Sequence, residues 1–110
     1  MHALLEAIDS ENWDGLAAML APSCWYLAPG MHLYRGRDEI MAYYLEIRPV
    51  ASGVHRIERA IEAGDEAMAF GTFSGLDKRG AAINLTFTDW ATFDGGLVTA
   101  REVFVEPIKD

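Results

Sequence analysis

The sequence predicts an α+β fold in which N-terminal helices pack against a curved antiparallel sheet around an apolar pocket. Apolar residues recur at helical spacing before Pro49, whereas apolar and polar residues alternate with a period of two after it. Helices that come first and strands that come last are typical of α+β folds rather than of alternating βαβ units. The length of 110 residues fits one domain, residues 1–110, and little more.

Composition and charge restrict the classes of function. The net charge of −8 argues against nucleic acid as a partner, because phosphate binding needs clustered Lys and Arg. No run of 18 apolar residues occurs, so we expect no membrane span. Cys24 is the single cysteine, which excludes an internal disulfide. The residues from Met1 to Glu6 lack the basic region of a secretory signal, so we expect a cytoplasmic protein.

The first half of the chain predicts three helices and a short strand. Apolar spacing and cap-forming residues place helices over 2–9 and 12–21. Residues 24–27 have the composition of a strand. A third helix follows Gly36 and is ended by Pro49.

The second half predicts four strands. They cover residues 54–62, 66–74, 82–93 and 97–106. In the first of them His55, Ile57 and Ile61 fall on one side, so His55 is expected to point inward. His55 is then either a core residue or a group that contacts a ligand or moves a proton.

One carboxylate interrupts an apolar strand face. The odd positions from Ile83 to Phe93 are apolar except for Asp89. A buried carboxylate needs a partner or a raised pKa. A three-residue loop over 94–96 places Asp89 opposite Arg101, whereas a two-residue loop would place it opposite Glu102, a like charge. We therefore predict that Asp89 and Arg101 face inward together, either as a structural ion pair or as part of a site.

Motifs for metals and nucleotides do not occur in the sequence. The three histidines show neither HExxH nor His-x-His spacing, so we predict no metal ion. The glycine patterns of dinucleotide sites and P-loops and the GxSxG of serine hydrolases are also missing, so we predict no cofactor.

Aromatic and neighbouring residues supply the candidate pocket wall. We predict these ligand-binding residues: Tyr26, Tyr34, Phe70, Thr72, Phe87 and Val103. Tyr26 and Tyr34 each carry a hydroxyl that needs a partner when buried, which suits an oriented ligand. The alternative for any one aromatic residue is simple core packing.

Trp90 lies on the opposite, polar side of its strand, beside Thr88 and Thr92. A Trp flanked by threonines on an outer sheet face predicts that another protein surface covers it, hence a homodimer. The alternative is a solitary surface Trp.

Several stretches in this order resemble one family. They are Ala-Pro-Ser-Cys-Trp-Tyr-Leu-Ala-Pro-Gly (21–30), Tyr-Arg-Gly-Arg-Asp-Glu-Ile (34–40), His55 at the start of a strand, and Trp-Ala-Thr-Phe-Asp-Gly-Gly-Leu-Val (90–98). Together they resemble the SnoaL-like and steroid-isomerase-like branch of the nuclear transport factor two-like superfamily, over essentially the whole chain. The resemblance implies a cone-shaped α+β barrel with a deep pocket, and homodimerisation through the sheet face.

The catalytic groups of that family match this sequence only in part. The carboxylate base of the steroid isomerases corresponds to Ala28, or to Leu27 if the register slips, and their tyrosine donor to Leu4 or a neighbour. Their carboxylic acid on the penultimate strand corresponds to Asp89, which also matches the general acid/base of SnoaL-type cyclases.

The resemblance thus implies a cofactor-free isomerase, cyclase or dehydratase that acts on a small, apolar, polyketide- or steroid-like carbonyl or hydroxyl compound. Asp89 would move the proton, Arg101 would balance its charge, and His55 would be a second acid/base or donor. The alternative is a non-catalytic ligand-binding or dimerisation module of the same fold.

Overall fold

In the computed structural model, which describes residues 1–108, the helices lie on the inner side of a curved six-stranded sheet. The helices are α1 (His2–Asp9), α2 (Trp13–Ala18) and α3 (Arg37–Ala42), and a π-helical turn (Tyr43–Ile47) follows α3. The strands are β1 (Leu20–Ala28), β2 (His32–Arg35), β3 (Val50–Ala63), β4 (Glu66–Asp77), β5 (Ala82–Asp94) and β6 (Leu97–Pro107). The predicted α+β class, with helices before most strands, is confirmed. No helix within residues 1–108 combines the length and apolarity needed to cross a bilayer.

The sheet has the order β2-β1-β6-β5-β4-β3 and does not close, so β2 and β3 are its edges. All neighbouring pairs are antiparallel except β1 and β6, which run parallel. The strands that follow one another from β3 to β6 therefore form a meander, and β1 joins its far end. This arrangement brings the N-terminal part of the chain beside the last strand.

The second helix is shorter than predicted. Residues 12–21 were expected to be helical, but α2 ends at Ala18 and β1 begins at Leu20. The cause is tertiary, because the Val98 amide donates a hydrogen bond of 2.8 Å to the carbonyl of Met19 and draws the chain into the sheet. At the other end of α2, the side chain of Asn12 accepts a 3.0 Å hydrogen bond from the Gly15 amide and caps the helix.

The third helix widens into a π-helical turn before Pro49. The Arg48 amide donates to the carbonyl of Tyr43, five residues earlier, at 2.8 Å. The wider turn buries the consecutive residues Tyr43 and Tyr44 together and leaves Ile47 exposed. π-Helical turns occur often at functional sites, and this one places Tyr43 and Tyr44 side by side in the interior.

A β-bulge bends β3 and β4. Ile57 pairs with Gly71 and Arg59 with Phe70, so Glu58 is the additional residue. The bulge turns Ile61 to the outer face, where it is 64% exposed, so the prediction that Ile61 shares the face of His55 is wrong. A side chain at Gly71 would lie 1.9 Å from the carbonyl oxygen of Arg56, so this close approach of the two strands requires glycine.

The β5–β6 hairpin also differs from its predicted register. Asp94 pairs with Leu97, so the loop is Gly95-Gly96, with a positive φ at both residues, as type I′ turns require. A bulge at Thr99 then shifts the pairing by one residue. Asp89 therefore pairs with Val103 rather than with Arg101. The shorter loop and the bulge together shift the pairing by two residues from the predicted register. Because a shift of two residues leaves each side chain on the same face, Asp89 and Arg101 still share the inner face, as predicted.

Candidate functional site

A cavity of about 620 Å³ lies between the helical cover and the inner face of the sheet. Most of its wall is apolar or aromatic, with a few polar groups, which is the usual composition of a small-molecule site. Four predicted pocket residues contribute to the wall: Tyr26, Tyr34, Phe87 and Val103. His55 and Arg101 line it too, as do Tyr43, Tyr44 and Arg48, of which the sequence did not single out Arg48.

Asp89 is enclosed behind the cavity wall. The residue has 0% exposure, and the Arg101 guanidinium contacts both carboxylate oxygens. Nε of Arg101 lies 3.0 Å from Oδ1 and 3.2 Å from Oδ2, and Nη2 lies 2.7 Å from Oδ2. Asp89 is not among the residues that line the cavity. The Asp89 carboxylate therefore lies behind the wall and not at the cavity surface, and its role in moving a proton stays a prediction.

Arg101 connects this buried pair to the cavity. Its Nη1 donates a hydrogen bond of 2.5 Å to the hydroxyl oxygen of Tyr44, and its guanidinium carbon lies 4.7 Å from the ring centroid of Tyr26. Because the Tyr44 oxygen accepts from a cation, its own proton stays available for donation to another group. Asp89 and Arg101 thus orient Tyr44 as a hydrogen-bond donor at the cavity.

Burial determines the charge states of these groups. Burial raises the pKa of Tyr26 well above its usual value, and it raises the pKa of Tyr43 to about 12, with a further contribution from Tyr44. Burial alone would lower the pKa of Arg101, but the Asp89 carboxylate outweighs it and raises that pKa. Near neutral pH Tyr26 and Tyr43 are therefore neutral phenols, and Arg101 is a charged guanidinium paired with Asp89.

His55 is held by Asp9, the last residue of α1. The His55 amide donates to Oδ2 of Asp9 at 2.7 Å, and Nδ1 of the ring lies 2.6 Å from Oδ1. The ring packs 4.7 Å from the Phe73 centroid and 4.9 Å from that of Phe87. Because the carboxylate occupies Nδ1, the tautomer with a proton on Nδ1 is favoured, and Nε2 is the nitrogen available to a molecule in the cavity.

The sequence did not single out Asp9, although one signal was present. A carboxylate at the C-terminal end of a helix opposes the helix dipole, so an Asp there suggests a partner elsewhere. The partner lies 46 residues further along the chain, on an edge strand. Asp9 also satisfies a backbone amide of β3, which fixes the position of His55 against α1.

Two predicted pocket residues lie elsewhere. Phe70 and Thr72 lie on the outer face of β4, where Phe70 is 41% exposed, which contradicts their predicted place in the pocket. The residues of β4 that point inward are Ala69, Gly71 and Phe73. Strand alternation therefore excludes Phe70 and Thr72 from the cavity.

Trp90 lies on the outer face as predicted. Its ring nitrogen donates to Oε1 of Glu66 at 2.9 Å, and its ring centroid lies 6.3 Å from that of Trp25. Apolar side chains on the same face are exposed around it, namely Met68, Phe70 and Phe104.

Within residues 1–108 no three His, Cys, Asp or Glu side chains are grouped so that they could hold a metal ion.

The helices and the curved sheet have the nuclear transport factor two-like fold. Residues 1–101 match the model of the SnoaL-like domain, and the chain belongs to that family. Among curated proteins none matches the chain in sequence.

Solved structures show the same fold at low identity. A protein of unknown function from Burkholderia pseudomallei K96243 superposes with a TM-score of 0.86 at 21% identity, over 96% of this chain and 86% of that one. An LEH-like epoxide hydrolase of M. tuberculosis gives 0.83 at 17% identity, over 96% and 78%. TerC, co-crystallised with polyporic acid, gives 0.79 at 19% identity, over 96% and 87%. These similarities establish the fold, and members of this fold bind small molecules.

Proposed function

We propose that the protein binds a small, largely apolar molecule in its cavity and moves a proton on it without a cofactor. The reaction class is that of an isomerase, cyclase or dehydratase acting beside a carbonyl or hydroxyl group. The observation that carries this proposal is the Asp9–His55 pair at the wall of an apolar cavity. A histidine held at Nδ1 by a carboxylate is a suitable general base or acid, because its other nitrogen is free for the substrate.

Each polar group has a separate part in the proposed reaction. His55 takes or returns the proton in place of Asp89, which is enclosed. The Tyr44 hydroxyl, oriented by Arg101, donates a hydrogen bond to the substrate oxygen and stabilises the negative charge that develops there. Tyr26 and Tyr34 form part of the wall against which the substrate lies. An epoxide hydrolase and a protein that binds polyporic acid among the structural neighbours support a small organic ligand.

Proton exchange on a simple ketone tests this function. We expect the protein to accelerate exchange of the protons next to the carbonyl of 1-tetralone in D₂O, measured by NMR. Free imidazole at the same concentration gives the rate that an unpositioned base provides, so the comparison isolates the contribution of the cavity. A rate equal to that of imidazole would contradict the proposed activity.

The second candidate is a binding module without catalysis. It is favoured by the closed Asp89–Arg101 pair, since the carboxylate that matches the family's acid is fully occupied. The same samples separate the two functions. Saturation transfer from the protein to 1-tetralone without accelerated exchange identifies a binder, whereas both effects together identify an enzyme.

We also propose a homodimer through the outer sheet face around Trp90, and a cytoplasmic location that rests on the sequence alone. Exposed apolar side chains next to a Trp on one face support an interface. Light scattering is expected to give the mass of two chains, and Phe104→Glu to give the mass of one. Leu45→Glu, on the π-helical turn, is the control and is expected to remain dimeric. A single-chain mass for the unaltered protein would overturn the interface.

A further inference from the structure

The cavity contains two arginines whose charges are balanced differently. Arg101 is paired with the buried carboxylate of Asp89. Arg48 also lines the cavity, yet within residues 1–108 no carboxylate oxygen lies within 4.0 Å of its guanidinium nitrogens. In the part of the chain that the structure describes, Arg101 is the one arginine with a carboxylate partner, so the distinguishing feature of Arg48 is that its unpaired guanidinium lies at the cavity wall.

Aromatic rings hold Arg48 in place. Its guanidinium carbon lies 5.5 Å from the ring centroid of Tyr44 and 5.7 Å from that of Phe73, both within the range of cation–π attraction. The side chain is half-buried, and its own amide closes the π-helical turn on Tyr43. The guanidinium is thus oriented by the protein before any ligand arrives.

Two acidic groups near Arg48 are engaged with other partners. Asp77 is the one carboxylate among the residues that line the cavity, and its Oδ1 accepts the amides of Arg79 and Ala81 at 2.8 and 2.9 Å in the turn after β4. Asp9, in the neighbouring groove, is bound to His55. A positive charge at an apolar cavity, with no carboxylate paired to it within residues 1–108, favours an anionic group on the ligand.

We propose that the ligand is an apolar molecule with one carboxylate, which Arg48 binds while the apolar body fills the cavity. This inference rests on the proposed function of the cavity and specifies its ligand class. A planar carboxylate matches the fork of a guanidinium in two parallel hydrogen bonds. A single unpaired arginine suits a single negative charge, and the acidic surface of the protein disfavours the approach of a dianion.

Three probes with one aromatic body test the proposal by calorimetric titration: 2-naphthoate, 2-naphthamide and 2-naphthyl phosphate. We expect 2-naphthoate to bind roughly 10- to 100-fold more tightly than 2-naphthamide, because hydrogen bonds between charged groups add about that factor. Arg48→Gln is expected to reduce the ratio to about one while 2-naphthamide binding is retained. Arg48→Lys, which keeps the charge without the fork, is expected to give an intermediate ratio.

Arg56→Gln is the matched control, because Arg56 lies exposed on the outer side of β3. It is expected to leave the ratio unchanged. Equal binding of 2-naphthoate and 2-naphthamide would contradict the proposal of a carboxylate ligand but leave the proposed function of the cavity intact. Binding of neither probe would contradict both proposals. Tightest binding of the phosphate ester overturns the choice of a carboxylate. A preference for 2-naphthoate that survives Arg48→Gln overturns the role of Arg48.

Discussion

Replacement of His55 by glutamine is expected to lower the protein-dependent exchange of 1-tetralone protons by about 10²–10⁴-fold. Glutamine keeps a polar side chain of similar reach at the cavity wall but has no group that accepts and returns a proton near neutral pH. The loss is expected in the rate at saturating ketone, since the apolar wall that binds the ketone is unchanged. NMR exchange rates at several ketone concentrations separate a change in the rate at saturation from a change in the affinity for the ketone.

Two further variants make this result interpretable. His2→Gln removes an exposed histidine near the start of α1 and is expected to leave the rate unchanged. Asp9→Asn weakens the positioning of the ring at Nδ1 and is expected to reduce the rate less than His55→Gln, with the apparent affinity for the ketone preserved. A His55→Gln protein with the original rate would remove His55 from the mechanism and leave the binding function.

Removal of the Asp89 carboxylate is expected to lower the free energy of unfolding by about 3–5 kcal/mol. In Asp89→Ala the Arg101 guanidinium stays buried and loses both of its carboxylate oxygens. A buried charge without a partner is strongly destabilising, because it keeps its desolvation cost and loses its compensating interactions. Urea denaturation followed by tryptophan fluorescence measures the difference.

Controls for this prediction come from the same hairpin. Asp94→Ala changes an exposed carboxylate at the end of β5 and is expected to shift stability by no more than about 0.5 kcal/mol. The double variant Asp89→Leu with Arg101→Met replaces the pair by apolar groups and is expected to recover most of the loss. Equal stabilities of Asp89→Ala and Asp94→Ala would contradict the view that this pair is a structural element.

The inner face of β5 could be predicted because successive side chains of a strand point to opposite faces. The face with the apolar side chains is then the one that faces the core. The apolar pattern interrupted by Asp89 and the nearby Arg101 were sufficient to predict that these two residues share that face. The register itself was wrong by two positions. Both the predicted loop and the observed loop with its bulge satisfy the same pattern, so side-chain polarity does not distinguish them.

The site was predictable only where its parts follow local rules. Tyr26, Tyr34 and His55 point inward because of strand periodicity, whereas Asp9 reaches His55 through a contact between distant parts of the chain. The inward position of Tyr44 depends on the π-helical turn, whose hydrogen bonding is set by packing and not by a motif. The proposed division of roles between Asp89 and His55 could not be read from sequence, because it depends on which of the two groups is enclosed.

The bulge at Thr99 determines which side chains of β6 face inward and which face outward. Substitutions on β6 alter one side chain at a time, but insertion or deletion of one residue beside the bulge would exchange the inner and outer sets of the whole strand. Insertions and deletions at this point are therefore expected to be rare among relatives that keep the buried ion pair. Where they occur, they should come in compensating pairs, so comparison of related chains here requires alignment by structure rather than by position.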